Sequence, residues 1–281
     1  MRTGTFRGFD VEMHDRGICV ITFNQPERLN GMTQTMKRDL VETIAQSQMH
    51  DDVRVVVVTG SGRAFSAGDD ISGHGRGGGT DAEAEALAQD IPGGHRDAVG
   101  TYEGLRWISQ PLNAAMRALD KLSIAAINGV AVQTGFSLAL SCDFRIASSE
   151  ARVGSGTLRF GLLPDEGGQY LLVHLLGVAK TMDFLMRNRL VMADEALALG
   201  LVHEVTPPDA LMPRVMELAR ELAEGPQAAQ RLLKRSIYNA AHQTFEQACD
   251  DIAAKTAITD HLPDAREGVR AFQEKRKPNF S

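Results

Sequence analysis

Hydrophobic and polar positions change their spacing several times along the chain, and each change predicts an element. Alternation over residues 11–14, the turn Asp15-Arg16-Gly17 and the apolar run 18–23 predict a β-hairpin. Thr33 stands before a helically spaced segment and predicts a capped helix to about residue 48. Residues 53–59 form a nearly continuous β-branched run, the pattern of a strand covered on both faces. Residues 124–127 predict a second short buried strand, ended by Asn128-Gly129. A short helix at 136–141 and a third strand at 144–147 follow. Strand and helix alternate, which argues for α/β architecture. After Gly167 the spacing turns helical. Helices are expected at 168–175, 179–187, 194–199, 209–223, 226–240, 244–259 and 263–275, with one short strand at 202–205. Between the first two strands, residues 72–80 hold five glycines and predict a loop. Residues 81–89 are weakly helical, and 102–120 read as a longer helix. No internal repeat of fixed period is present.

Composition adds bounds rather than detail. The chain has 281 residues, 43% of them hydrophobic and 23% charged, enough to bury a large core. A net charge of −6 argues against a nucleic-acid partner. No apolar run is long enough to span a bilayer, and no signal peptide is evident at the start. The three cysteines, Cys19, Cys142 and Cys249, are far apart and odd in number, which fits free thiols in a reducing compartment. A cytoplasmic location is the expectation. Eight histidines are scattered without the spacing of a metal site.

Candidate chemistry sits where the two buried strands end. The first runs through Thr59-Gly60 to Ala64-Phe65-Ser66-Ala67-Gly68-Asp69-Asp70-Ile71. The second runs through Asn128-Gly129 to Gln133-Thr134-Gly135-Phe136-Ser137. Small residues at such turns leave backbone N–H groups open. Two N–H groups aimed at one point form an oxyanion hole for a developing enolate or tetrahedral intermediate.

These strings also resemble the crotonase superfamily, the enoyl-CoA hydratases and isomerases. Further landmarks are Asn24-Gln25-Pro26-Glu27-Arg28-Leu29-Asn30, Ser141-Cys142-Asp143-Phe144-Arg145 and Phe160-Gly161-Leu162-Leu163-Pro164. Glu195-Ala196-Leu197-Ala198-Leu199-Gly200-Leu201 and the tail Glu274-Lys275-Arg276-Lys277-Pro278-Asn279-Phe280 complete the set. Seven strings stand in the family's order from about Val11 to Phe280. The resemblance implies a crotonase-like ββα spiral core over residues 1–205. It also implies a C-terminal helical region over 206–281 that assembles a homotrimer or a dimer of trimers. It places the two oxyanion donors at the N–H groups of Ala67 and Thr134. It places an acyl-CoA substrate along Arg28, Leu29, Ala64, Phe65, Ala67, Gly68, Asp69, Asp70, Ile71 and Gly135, with Lys275 and Lys277 toward a phosphate. Coenzyme A enters as part of the substrate, and no separate cofactor or metal is implied.

The chain departs from the family's pattern at three places. Gln133-Thr134-Gly135 stands where three glycines are common. Ser137 and Thr157 stand where hydratases carry the two glutamates that activate water, and neither can act as a carboxylate. Asp165 aligns instead with the single carboxylate of some family isomerases, and with the nucleophilic aspartate of aroyl-CoA dehalogenases. Glu166 is its neighbour. Without a resemblance, Asp165 reads equally well as a helix N-cap and Glu166 as a first-turn acid. Tyr102 and Trp107 are candidates for an acyl pocket or for core or interface packing, His95 falls in the loop or helix lining where some family members place extra catalytic groups but reads as exposed, and Asp143 reads as a core organiser. The reading is an acyl-CoA enzyme working through an enolate, with double-bond isomerisation first. Atypical hydration, thioester or carbon–carbon hydrolysis, dehalogenation and non-catalytic acyl-CoA binding are the alternatives. A dinucleotide site is disfavoured because Gly60-Ser61-Gly62 lacks the third glycine, and no Gly-x-Ser-x-Gly elbow marks a serine hydrolase.

Overall fold

A computed structural model describes residues 1–70 and 97–280. The strands are β1 (Gly4–Phe6), β2 (Phe9–His14), β3 (Ile18–Phe23), β4 (Val55–Gly60), β5 (Ala64–Ser66), β6 (Leu122–Ile127), β7 (Val130–Val132), β8 (Phe144–Ser148), β9 (Arg152–Gly154), β10 (Leu190–Met192) and β11 (Glu204–Thr206). The helices are α1 (Gln34–Met49), α2 (Ala98–Gly104), α3 (Gln110–Ala118), α4 (Thr134–Ser141), α5 (Gly168–Met186), α6 (Ala193–Leu199), α7 (Leu211–Ala223), α8 (Gln227–Ala240), α9 (Phe245–Thr259) and α10 (Pro263–Gln273). A π-helical turn, Leu105–Ser109, joins α2 to α3. The loop expected at 72–80, the helix at 81–89 and His95 lie outside the described residues.

Seven strands form one sheet in the order β1-β2-β3-β4-β6-β8-β11, and four form a second in the order β10-β9-β7-β5. From β3 to β11 the large sheet is parallel. Three times the chain leaves a strand of the large sheet and enters one of the small sheet: β4 to β5, β6 to β7, β8 to β9. That repeated turn is the spiral of the crotonase fold. It escapes a search for fixed periods because β4, β6 and β8 begin unevenly, at Val55, Leu122 and Phe144.

The Val55–Val58 run is fully buried because both faces of its sheet are covered. One face carries Val56 and Val58 against Met36, Leu40, Leu112 and Phe136. The other carries Val55 and Val57 against Leu211, Val215 and Ala219 of α7. Thr33 caps α1 as the sequence predicts, its side chain accepting from the Met36 N–H. The two helices expected at 168–175 and 179–187 are one element, α5, broken by Gly177 at φ 73° and ψ 167°. The short strands β5, β7, β9 and β10 had no sequence prediction. Each has three residues, too few to show alternation.

The segment expected to serve oligomerisation begins inside the core. α7 closes the second sheet face, and α8 is tied to the sheet through Asp143. Lys234 Nζ sits 2.7 Å from Asp143 Oδ2, the Tyr238 hydroxyl donates to Asp143 Oδ1 at 2.7 Å, and the Ser123 N–H donates to Oδ2 at 2.8 Å. Asp143 thus organises the core, as the sequence reading expects. Cys19 and Cys142 are buried free thiols and Cys249 is exposed. No helix among the described residues is long and apolar enough to cross a membrane.

Candidate functional site

Two segments far apart in sequence run side by side next to the start of α4. The Met32 N–H donates to the Gly68 carbonyl at 2.8 Å, and the Asp70 N–H donates to the Met32 carbonyl at 3.0 Å. Asn30 locks this arrangement from inside. Fully buried, it donates from Nδ2 to the carbonyls of Ser61 and Ala64, and its own carbonyl accepts from the Ser66 hydroxyl. Arg28 Nη1 reaches Asp70 Oδ2 at 3.2 Å. Arg28, Leu29, Ala64 and 67–70 therefore form one continuous stretch of structure.

The second turn packs against the first at near-minimal distance. A Cβ on Gly135 would stand 2.5 Å from the Ser66 carbonyl oxygen, and one on Gly68 would stand 2.8 Å from Gln133 Cβ. Glycine is required at both places by contact, and at Gly68 also by φ +90°. Gln133 holds φ 52° and ψ −123°, a conformation rare outside glycine. The chain places this unusual residue immediately before the first residue of α4, Thr134.

One expected donor needs correction. The Ala67 N–H already donates to the Leu29 carbonyl at 2.9 Å and is not open to a substrate. The Gly68 N–H is engaged by Ser66 Oγ at 3.2 Å. The open N–H is that of Asp69. Met32 and Asp69 form a parallel bridge, so Asp69 turns its own N–H away from the 28–32 segment while its neighbours bond to it. Among the described residues neither the Asp69 N–H nor the Thr134 N–H has a hydrogen-bond acceptor. The sequence could not separate Ala67 from Asp69, because the choice depends on which N–H the Asn30 segment engages.

The side chains of Asp69 and Thr134 meet in a buried polar cluster. Thr134 Oγ1 lies 2.6 Å from Asp69 Oδ1 and 2.6 Å from Glu166 Oε1. Lys37 Nζ lies 2.7 Å from Asp69 Oδ1, 3.0 Å from Ser109 Oγ and 3.4 Å from Glu166 Oε1. Lys37 is only 2% exposed and Glu166 only 5%. A hydroxyl has one proton, so Thr134 can donate to just one of its two carboxylates. The other short contact needs a proton on a carboxyl. Burial raises the Glu166 pKa to about 7; the charges of Asp69 and Asp165 add to the rise, and the Lys37 ammonium and the Thr134 hydroxyl oppose it.

Asp165 and Glu166, adjacent in sequence, have opposite fates. Glu166 is tied into the cluster, and its carbonyl accepts from Asn113 Nδ2 at 3.0 Å. The Asp165 side chain is half-buried and has no hydrogen bond among the described residues, while its carbonyl accepts from Gln110 Nε2 at 3.0 Å. Neither acts as the helix signal the sequence also allowed. The residue flanking α5 is Gly167, with no side-chain cap, and the first turn of α5 holds no acid.

Lys37 had no place in the sequence reading, although a signal existed. It lies on the buried stripe of α1 with Met36, Leu40 and Ile44, where an apolar side chain is the rule. Phe65 is a core residue, its ring edge-on to Phe23 at 5.4 Å between centroids, so its side chain does not line a site. Lys277 pairs with Glu224 at the end of α7, across the large sheet from the Lys37 cluster, and Lys275 closes the last turn of α10. Within one chain these lysines do not join the site. Trp107 and Tyr102 are exposed and pack in no core, and Ile71 lies outside the described residues. Ser137 and Thr157 are both buried, and a Cβ on Gly168 would stand 2.5 Å from Ser137 Oγ. Among the described residues no group of three or more His, Cys, Asp or Glu side chains is placed to hold a metal ion.

Comparison with known proteins agrees with this architecture. The family model for enoyl-CoA hydratase/isomerase matches residues 13–91 and 86–281. The chain is 31% identical over 267 residues to the 1,2-epoxyphenylacetyl-CoA isomerase of Escherichia coli strain K12, covering 95% of this chain and 96% of that protein. It is 29% identical over 264 residues to the crotonyl-CoA hydratase of Syntrophomonas wolfei, covering 94% of each. The crystal structure of a putative enoyl-CoA hydratase from Streptomyces coelicolor A3(2) superposes with a TM-score of 0.86 at 29% identity, covering 100% of this chain and 96% of that one. Matched at nearly full length in sequence and in structure, the chain belongs to the enoyl-CoA hydratase/isomerase family of the crotonase superfamily.

Proposed function

We propose that this acyl-CoA enzyme moves a carbon–carbon double bond by proton transfer through a thioester enolate. The observation that carries the reading is that, among the described residues, Asp165 keeps a half-buried carboxylate without a hydrogen bond while the Asp69 and Thr134 amides have no acceptor. The thioester carbonyl accepts from both N–H groups. Each such donor is worth about 3–4 kcal/mol as charge builds on the oxygen. The Asp165 carboxylate removes a proton from carbon on one side of the enolate and returns it to the other. Water activation in the manner of hydratases would need carboxylates where Ser137 and Thr157 stand.

Relatives at similar identity include a 1,2-epoxyphenylacetyl-CoA isomerase and a crotonyl-CoA hydratase, so kinship alone does not choose between the two reactions. The CoA portion is assigned to the strip formed by Arg28, Leu29, Ala64 and 67–70. The exposed apolar residues Leu233, Ile237, Phe245, Ile252 and Ile258 of α8 and α9 suit a homotrimer or a dimer of trimers.

The test is incubation of a medium-chain 3-enoyl-CoA with wild type and with Asp165→Asn, followed by chromatography and mass spectrometry. Conversion to the 2-enoyl isomer, lost in the variant, is the expected result. A hydrated product or free CoA would replace isomerisation with hydration or hydrolysis. Conversion unchanged in the variant would remove Asp165 from the mechanism.

A further inference from the structure

The structure assigns to Lys37 a positioning role: through Asp69, Thr134 and Glu166 it holds the two amide donors of the oxyanion hole at a fixed spacing. The inference rests on the oxyanion reading above and adds the device that sets its geometry.

Both proposed donors belong to residues whose own side chains are captured. Asp69 and Thr134 come from different turns, and their side chains meet at 2.6 Å. Lys37, from a third element, approaches Asp69 at 2.7 Å, and Glu166, from a fourth, approaches Thr134 at 2.6 Å. Ser109, on the π-helical turn before α3, completes the ammonium's surroundings at 3.0 Å. Five residues from five segments thus close around the two amides.

Two observations indicate that this clamp is needed. Thr134 follows Gln133, whose strained backbone persists only where its surroundings hold it. A threonine in place of glycine also brings a side chain that must be kept clear of the substrate. Its hydroxyl is turned instead toward Asp69 and Glu166. In addition, the α1 stripe would pack an apolar residue at position 37 without the desolvation cost of a buried ammonium. Lys37 answers to the two acids rather than to the core.

The test uses acetoacetyl-CoA, whose enolate absorbs in the ultraviolet apart from its keto form. Wild type, Lys37→Met, Thr134→Val and the double variant are titrated, and the enolate-to-keto ratio is read at saturation. That readout counts only folded, ligand-bound protein, so a loss of stability alone does not move it. Wild type is expected to raise the ratio over free solution. Each single variant is expected to bind the probe and to lose about tenfold or more of that gain, the scale of a hydrogen bond involving a charged group. The double variant is expected to lose no more than the larger single loss, because both changes act through one linkage. A Lys37→Met ratio equal to wild type, or losses that multiply in the double variant, would overturn the proposal. If Lys37→Met does not fold, an unchanged ratio in Thr134→Val overturns it equally, since among the described residues the hydroxyl is what links the cluster to the second amide. A bound wild type with no gain in enolate would instead overturn the oxyanion reading itself.

Discussion

Gly135 and Ser66 pack so closely that a single methyl group at Gly135 would come within 2.5 Å of the Ser66 carbonyl oxygen and 2.7 Å of Ser66 Cβ. This contact holds the start of α4 against the end of β5, and so brings the Thr134 amide beside Asp69.

Gly135→Ala should therefore harm turnover more than folding. Alanine favours a helix over glycine by about 1 kcal/mol. Overpacking against backbone costs about 1–3 kcal/mol, and the clash prevails. The measured outcome is a modestly lower urea midpoint and a kcat reduced at least tenfold, with KM little changed. A variant with wild-type kcat would show that the spacing of the two turns does not govern the reaction.

Glu166 makes stability depend on pH in a defined direction. Its folded pKa is raised from 4.5 to about 7, chiefly by burial, against Lys37 and with Asp69 and Asp165 adding to the rise. Between those two values the native state holds a proton that the unfolded chain has released. The contribution is therefore fully present below about pH 4.5 and is lost as pH rises through about 7. Glu166→Gln keeps the side chain's shape and cannot ionise. Plotted as wild type minus variant, the free energy of unfolding should fall from pH 5 to about pH 7 and then level off. A flat difference curve would mean that Glu166 is ionised throughout.

Asp143 anchors α8 without entering the site. Its carboxylate serves the half-buried Tyr238 hydroxyl, Ser123 and the buried Lys234 ammonium. Asp143→Ala leaves that ammonium unpaired in the interior. The cost should be about 3–5 kcal/mol, read from denaturant unfolding. Activity per folded molecule, measured well below the unfolding midpoint, should be retained. A selective loss of kcat without loss of stability would contradict the core role.

Much of this protein is written locally in its sequence. The β-branched run at 55–58 needs no partner to declare itself a doubly covered strand, since every position is apolar. Thr33 caps α1 with its own hydroxyl, and the hairpin around Asp15-Arg16-Gly17 follows from period and turn chemistry. The meeting of the two glycine-bearing turns was also legible, because only small residues permit such an approach.

What tertiary structure alone decided is which groups are left over. The family resemblance pointed to the Ala67 N–H, and Asp69 lies two residues on. The Leu29 carbonyl engages one N–H and leaves the other open. Asp165 and Glu166 are adjacent carboxylates, and the packing of α1 and α4 buries one while the other makes no hydrogen bond among the described residues. Lys37 is an ordinary helix residue until Asp69, Ser109 and Glu166 surround it. Local spacing sets where a chain turns and which face it buries, whereas hydrogen bonds, charges and protons are shared among segments far apart in sequence. The open amide, the free carboxylate and the captured ammonium exist only once those segments are folded together.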